Sequence, residues 1–306
     1  MSVELAFPTV AAPFATALVE LGRRREDVVV LSADLSKYTD VLPFAEAFPE
    51  RFFQIGMAEA NMMGIAGGFA KTGFLPIAVT YGVFATRRAY DQIAMALTTG
   101  PSRAIVVAFL PGITTPFKAT HQAIDDLALM RSMPGMVVVD PADATELAAA
   151  LAHAESRDGT VYIRGLRGVV PRLFDSVDPS LQPRQLLAGE DVGLISSGLG
   201  CQWALEAAEL LDGRASLLHV PVLKPFGEQA VAEFCARFEV VTTIENHSTV
   251  GGLGTAVAET IAARGRGTRV RKLGVPDRWA PAGSIEHIRN ELGLDAASIA
   301  RLAAQP

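Results

Sequence analysis

The chain has 306 residues, half of them apolar, and a formal net charge of −6. That length and apolar share can bury two ordinary cores, so a globular protein of about two domains is expected, not a tail or linker. An acidic balance with no basic run longer than Arg23-Arg24-Arg25 argues against a nucleic-acid surface, and no apolar run reaches the length that spans a bilayer.

In chain order, Met1-Ser2-Val3-Glu4-Leu5 lacks the basic region and apolar core of a secretory leader. The Arg23 to Arg25 cluster reads as a helix end, where cations meet the negative pole. From Val28 onward, short β-branched runs alternate with longer helical patterns, and strands are expected at 28–31, 52–55, 75–80, 104–109, 136–139 and 161–164. Such alternation implies parallel strands joined by helical crossovers. Residues 170–190 lose apolar periodicity and gain Pro171, Pro179 and Pro183, which marks a linker. A second alternating series follows, with strands near 192–196, 216–222, 240–244 and 269–273 and helices such as 201–211 and 254–263. Two tandem α/β domains, 1–170 and 191–306, with a linker at 171–190, account for nearly the whole chain. Cys201 and Cys235 lie in helix-like apolar settings without the spacing of a zinc site or redox pair. Both read as buried thiols of a reducing compartment, which with the N-terminus points to a cytoplasmic protein.

The most informative stretch is Gln54-Ile55-Gly56-Met57-Ala58-Glu59-Ala60-Asn61, which continues as an apolar, Gly- and Ala-rich helix through Gly68. It places the Glu59 carboxylate in the first turn of a helix too hydrophobic to face water. Glu59 is then either a cap at the positive helix end, worth a few tenths to about 1 kcal/mol, or a carboxyl held dry to handle a proton. The segment resembles the cofactor-activating segment of thiamine diphosphate enzymes of the transketolase family. Further pieces carry the same resemblance in the same order: Ser32-Ala33-Asp34-Leu35-Ser36; Thr80 to Leu97 with Tyr90-Asp91-Gln92; Thr120-His121-Gln122-Ala123-Ile124-Asp125-Asp126-Leu127; Met133-Pro134-Gly135; Asp140-Pro141-Ala142-Asp143; and Arg164-Gly165-Leu166-Arg167-Gly168. From Ala15 to Ala303 the chain is similar to the second and third domains of transketolase. The resemblance implies two tandem α/β domains: a thiamine-diphosphate-binding (pyrimidine) domain with a parallel sheet, then a transketolase C-terminal-like domain.

The resemblance also implies roles. Glu59 hydrogen-bonds the N1′ atom of the cofactor's aminopyrimidine and favours the tautomer that deprotonates the thiazolium carbon, which demands a dry carboxyl. Tyr81 and Phe84 fall where relatives build an aromatic pocket for the ring; by themselves they also read as plain core. Asp34 matches an Asp that borders the cofactor, and reads equally as a turn residue after a strand. His121 falls on a Thr-His-Gln motif whose imidazole faces substrate and stabilises charge on oxygen. Arg167 matches an Arg that binds substrate phosphate, and Arg164 either supports it or pairs with a local carboxylate. Val10, Tyr38, Phe109 and Phe117 stand where ordinary transketolases carry an Arg, a Ser, a His and an Asp that read the donor sugar. Donor recognition is therefore expected to be rebuilt with more apolar surface.

Family members bind the diphosphate and its divalent metal through a Gly-Asp-Gly motif and a following Asn in a separate domain, and this sequence contains no Gly-Asp-Gly. The resemblance thus implies thiamine diphosphate with Mg²⁺ liganded by a partner subunit that carries the diphosphate-binding domain. The expected assembly is a dimer of heterodimers, or a homodimer when alone, transferring a two-carbon ketol unit between sugar or sugar phosphate substrates. Glu245-Asn246-His247 and Gly251-Gly252-Leu253-Gly254 also match the family. These glycines lack a full dinucleotide fingerprint and are expected to serve tight strand-to-helix packing at a subunit contact. His153, His219 and His287 read as structural or surface residues. Rival readings are the β subunit of a 2-oxo acid dehydrogenase, disfavoured by the Thr-His-Gln and Met-Pro-Gly segments; a deoxyxylulose-phosphate synthase, which carries all three domains on one chain; and a non-catalytic scaffold, disfavoured by Glu59 and His121.

Overall fold

The computed structural model describes residues 6–100, 103–265 and 267–306, so the reading of residues 1–5 lies outside it. Its strands are β1 (Thr9–Ala11), β2 (Val28–Ser32), β3 (Phe52–Gln54), β4 (Leu75–Tyr81), β5 (Ala104–Phe109), β6 (Met136–Val139), β7 (Thr160–Gly165) and β8 (Val169–Pro171), followed by β9 (Arg184–Ala188), β10 (Val192–Ser196), β11 (Ala215–His219), β12 (Val222–Lys224), β13 (Val240–Ser248) and β14 (Arg269–Val275). Every residue of β2, β4, β5 and β7 is buried. Parallel strands covered by helices on both faces must be apolar throughout, which is why these segments read as continuous runs without alternation.

The first sheet runs β12-β6-β7-β5-β4-β2-β3, and its neighbours from β6 to β3 are all parallel. The chain steps outward from β2 to β3 and then returns past β2 to β4, so strand order reverses between β2 and β4. In open α/β sheets, ligands bind outside the carboxyl ends of the strands at such a reversal. The second sheet, β14-β13-β10-β11-β9, is parallel except for its edge strand β9.

On one face of the first sheet the helices Pro13–Arg24 and Ala144–Glu155 pack through Phe14, Leu18, Leu21, Leu147 and Leu151. Pro13–Arg24 opens on proline and closes on Arg23 and Arg24, as the sequence suggests. The other face is covered by Glu59–Lys71 and Asp126–Ser132, while Glu228–Cys235 and Leu253–Ala263 of the second domain pack on each other, the latter also on β13 and β14. Met62, Met130, Val231, Phe234, Leu253 and Val257 belong to one apolar cluster, so the core is continuous between the domains. Each such side chain removed from water contributes about 1.5–3 kcal/mol.

Two segments differ from expectation. Residues 216–222, expected as one strand, form β11 only to His219; the chain then leaves the second sheet, and β12 pairs antiparallel with β6, Val222 opposite Val139. The linker expected at 171–190 contains the end of β8, which pairs with β1 (Val10 opposite Val170), and β9, which joins the second sheet. Short edge strands take their pairing from tertiary context, so a local pattern rich in proline reads as linker.

Candidate active site

Glu59 opens the helix Glu59–Lys71 and is 1% exposed. Among the described residues its oxygens accept nothing from the helix amides. Both accept from Arg88 Nη1, at 3.0 and 2.9 Å. The carboxylate is thus buried and paired with a distant cation, and is not a helix cap. Arg88 is half exposed, its side chain at 51%, and its guanidinium lies 4.4 Å from the centre of the Phe84 ring. Phe84–Arg88 is wound as a π-helix, a geometry that recurs at functional sites.

Tyr81 ends β4 and stacks on Phe84, with ring centres 5.9 Å apart and planes 28° apart. His121 turns its ring edge-on to both, 6.3 Å from Tyr81 and 5.4 Å from Phe84, and Phe117 tilts onto His121 at 5.1 Å. Arg167, exposed just beyond β7, lies 5.9 Å from the Tyr38 ring. Burial raises the pKa of the Tyr81 hydroxyl, and the charge of Arg167 opposes that rise. Tyr81, Phe84, His121 and Phe117 thus form one group of rings beyond the carboxyl ends of β4 and β5, with Glu59 joined to it through Arg88 and Arg167 near enough for its charge to act on Tyr81. Asp34, exposed after β2, has a left-handed backbone (φ 60°) and donates its amide to Gln54 Oε1 at 2.6 Å. It is a turn residue beside the strand-order reversal. Arg167 also lines a cavity of about 330 Å³ between the domains, with Leu110, Thr114, Val169, Gln202 and Trp203.

Of the four positions where family sugar-reading residues are replaced, Phe117 packs on His121 and Tyr38 lies beside Arg167. Phe109 does not: it is fully buried and packs edge-to-face on Phe14 at 5.3 Å, so the expectation that it forms donor surface is corrected to core packing. Val10 is held in β1.

Arg164 is 1% exposed and engaged by the protein itself. Its Nε donates to Asp126 Oδ2 at 2.9 Å and its Nη2 to Asp126 Oδ1. Its Nη1 reaches the Asn246 carbonyl at 3.1 Å and, weakly, Asp140 at 3.5 Å. Pairing with local carboxylates is the reading of Arg164 that the geometry carries. A substrate-binding Arg164 would need a donor that is not already engaged inside the protein. Burial alone would raise the Asp126 pKa, but the charge and hydrogen bonds of Arg164 lower it overall; at Asp140 burial wins and the pKa rises.

Sequence reasoning missed how the loop that carries His121 is held. Arg87 donates to the Asp125 carboxylate at 2.9 and 2.8 Å, to the Ala119 carbonyl at 2.7 Å and to the Gln122 carbonyl at 3.2 Å. It also lies 5.0 Å from the ring of Trp279 in the second domain. From that domain Asn246 accepts the Ile113 amide at 2.9 Å and donates to the Pro111 carbonyl at 3.0 Å, while Gln122 donates to the Pro281 carbonyl at 3.1 Å. Gly112, at φ 57°, faces Asn246 so closely that a Cβ would sit 2.1 Å from Asn246 Oδ1. The second domain thus braces the His121 loop. The signal available in the sequence was Arg87-Arg88, adjacent cations that follow the aromatic pair Tyr81 and Phe84 within one short segment.

At the base of this brace, His247 donates from Nδ1 to the Ser248 carbonyl (2.7 Å) and accepts the Ala128 amide at Nε2 (3.3 Å). Those partners fix a neutral tautomer, and burial lowers its pKa to about 4. Glu245 accepts the Leu253 and Gly254 amides at 2.7 and 2.9 Å, capping Leu253–Ala263, and burial raises its pKa to about 7. Gly252 packs against it, where a Cβ would lie 2.0 Å from Glu245 Oε2; this is the tight strand-to-helix packing expected of residues 251–254. His219 and His153 are buried against Glu146 (2.8 Å) and the Pro179 carbonyl (2.6 Å), and His287 is exposed on its helix. Cys201 and Cys235 are buried and unpaired. Among the described residues no helix is long and apolar enough to cross a membrane, and no three His, Cys, Asp or Glu side chains group as a metal site.

Two family models match the chain: the transketolase pyrimidine binding domain over residues 8–172 and the transketolase C-terminal domain over residues 183–299. The chain belongs to the transketolase family. It is 41% identical over 300 residues to a putative uncharacterized transketolase family protein of Sinorhizobium fredii, covering 95% of this chain and 87% of that one. It is 36% identical over 292 residues to a 6-deoxy-6-sulfo-D-fructose transketolase subunit of a Clostridium species, covering 94% and 90%. Among solved structures, a split gene transketolase in an inactive β4 tetramer superposes with a TM-score of 0.85 at 37% identity, covering 95% of this chain and 97% of that one. This transketolase chain corresponds to a C-terminal section, and Glu59, Tyr81, Phe84, His121 and Arg167 all lie within its pyrimidine-binding domain.

Proposed function

We propose that this chain is the pyrimidine-binding subunit of a two-subunit, thiamine-diphosphate-dependent transketolase that moves a two-carbon ketol unit between sugar substrates. The observation that carries the reading is the buried Glu59 side chain, tied through Arg88 to the Phe84 ring that packs with Tyr81 and His121, beyond the strand-order reversal. A dry carboxyl and an aromatic plane fit an aminopyrimidine, which needs an acid at one ring nitrogen and a flat surface for its face. Thiamine diphosphate, when bound, supplies the nucleophilic carbon that takes up the two-carbon unit. Glu59 holds a proton toward the ring nitrogen N1′, Phe84 and Tyr81 pack on the ring, and Asp34 borders the mouth. His121 contacts Thr120 Oγ1 through Nδ1 at 3.0 Å, which leaves Nε2 to donate to a carbonyl or hydroxyl oxygen of the sugar. Arg167 offers a fork of donors to an anionic group at the sugar's far end, phosphate or sulfonate alike. The sulfosugar subunit among the relatives makes a sulfonated ketose one donor to test.

In this reading a partner subunit carrying the diphosphate domain supplies the ligands of the diphosphate and Mg²⁺, and the active form is a dimer of heterodimers. The likeness over 97% of a split gene transketolase chain and 90% of a transketolase subunit supports such a partner. The test is co-expression with a diphosphate-domain subunit, followed by addition of thiamine diphosphate and Mg²⁺ and a screen of phosphorylated, sulfonated and neutral ketoses. Ketol transfer is expected only when both subunits are present. Tight, metal-dependent cofactor binding by this chain alone would defeat the two-subunit reading; an assembled, cofactor-loaded complex that moves no two-carbon unit would defeat the activity.

A further inference from the structure

We infer that Arg88 is an internal stand-in for the cofactor's ring: in the cofactor-free chain its guanidinium takes both positions that an aminopyrimidine needs, and it must leave before the ring can enter. The inference rests on the proposed cofactor reading of Glu59 and Phe84. One nitrogen of Arg88 bridges both Glu59 oxygens, at 3.0 and 2.9 Å. The same guanidinium covers the Phe84 ring at 4.4 Å. A guanidinium is flat, delocalised and able to stack on an aromatic face while donating to a carboxylate. It therefore matches the ring in shape and in the surfaces it needs, but not in polarity, because it brings a positive charge.

Two features make the stand-in removable. The Arg88 side chain is 51% exposed while that of Glu59 is 2% exposed, so the cation can swing toward water and the acid cannot. The residue also sits at the end of the π-helix Phe84–Arg88, and its neighbour Arg87, not Arg88, holds the His121 loop. Departure of Arg88 thus need not disturb His121. Its effect falls on Glu59 and Phe84: both carboxyl oxygens and the aromatic face are then open to the ring.

The test uses the full chain and has two readings that do not require turnover. The first is an isotope-edited infrared spectrum, with the Glu59 band assigned by its loss in Glu59→Gln. The Glu59 band of the native chain should report its bridging contact with Arg88 and move in Arg88→Met, where that contact is gone; an unmoved band overturns the inference. The second is binding of 2-methyl-4-aminopyrimidine, the cofactor's ring without its diphosphate, followed by chemical-shift changes. Removing a competitor that occupies the site most of the time should tighten ring binding by about tenfold. Arg88→Lys, which keeps a donor and the charge, should leave the band near its native position and bind the ring no more than slightly tighter than the native chain. In a Glu59→Gln background the Arg88 substitution should lose most of its effect. Should Arg88→Met fold poorly, Arg88→Gln serves for the same two readings. Equal ring affinity in native and Arg88→Met chains overturns the stand-in while leaving the cofactor site intact. Absence of ring binding in every variant overturns the cofactor reading, and the stand-in with it.

Discussion

Glu59 and Arg88 meet as acid and cation although 29 positions separate them, and this asymmetric pair lets chemistry be separated from stability. Glu59→Gln in the assembled enzyme should cut ketol transfer by roughly 10²–10⁴-fold, the usual reach of a proton-handling group. Its melting temperature should change little, because half-exposed Arg88 can turn to solvent. Kinetics and a thermal melt on the same preparation decide the matter: if melting temperature collapses along with activity, Glu59 is structural. Arg167 and His121 should fail differently from each other. Arg167→Ala removes a contact to a remote group and should chiefly raise KM for phosphorylated or sulfonated sugars, whereas His121→Ala should depress kcat for charged and neutral sugars alike. Equal losses on charged and neutral sugars for Arg167→Ala would remove its assignment to the anionic end. Most of these side chains were legible in the sequence because motif order tied them to strand ends. Arg88 was not, since its partner is chosen by the fold, and Arg164 was legible only as two alternatives that burial separates.

At the scale of elements, the buried parallel strands were legible because continuous β-branched runs leave few other folds, and their cores match the expected positions closely. The brace between β13 and the His121 loop was not, because it is built from backbone groups and from Asn246, Gln122 and Arg164, whose targets lie in distant segments. Arg164→Met tests it: Asp126 and Asp140 would remain buried without their cation, at a cost of about 3–5 kcal/mol in unfolding free energy. Urea titrations should show that cost shrinking in acid as the carboxyls protonate; a loss below about 1 kcal/mol would mean the clamp is dispensable. The neighbouring pair, His247 and Glu245, predicts a pH profile. Burial lowers the His247 pKa from 6.5 to about 4, so its contribution to stability is lost as pH falls through that interval. Burial raises the Glu245 pKa from 4.5 to about 7, so its contribution is lost as pH rises through that interval. Where the intervals overlap the two slopes oppose each other. Relative to the native chain, His247→Gln should therefore lose stability as pH rises from about 5 to 6.5, by on the order of 1 kcal/mol per pH unit. Denaturant midpoints for both proteins across that range measure it, and parallel curves would refute it.

The molecule as a whole is less divisible than its two family segments suggest, because apolar side chains of both domains share one cluster and β12 completes the first sheet. Calorimetry should accordingly show a single unfolding transition, and a fragment ending before β9 should aggregate; two resolved transitions would contradict the shared core. Tandem domains were legible from alternation, but the exchange of a strand between them was not, since three residues cannot announce a partner so distant in the chain. The same exchange sets an order of events in the cell. As the chain leaves the ribosome, β6 emerges well before Val222–Lys224, and at about 5–20 residues per second that interval lasts several seconds. During it β6 is an unpaired sheet edge in a half-made protein, open to strand addition from any neighbouring chain. Folding of the first domain is timed by the synthesis of the second, and a nascent-chain chaperone has its clearest task at that edge.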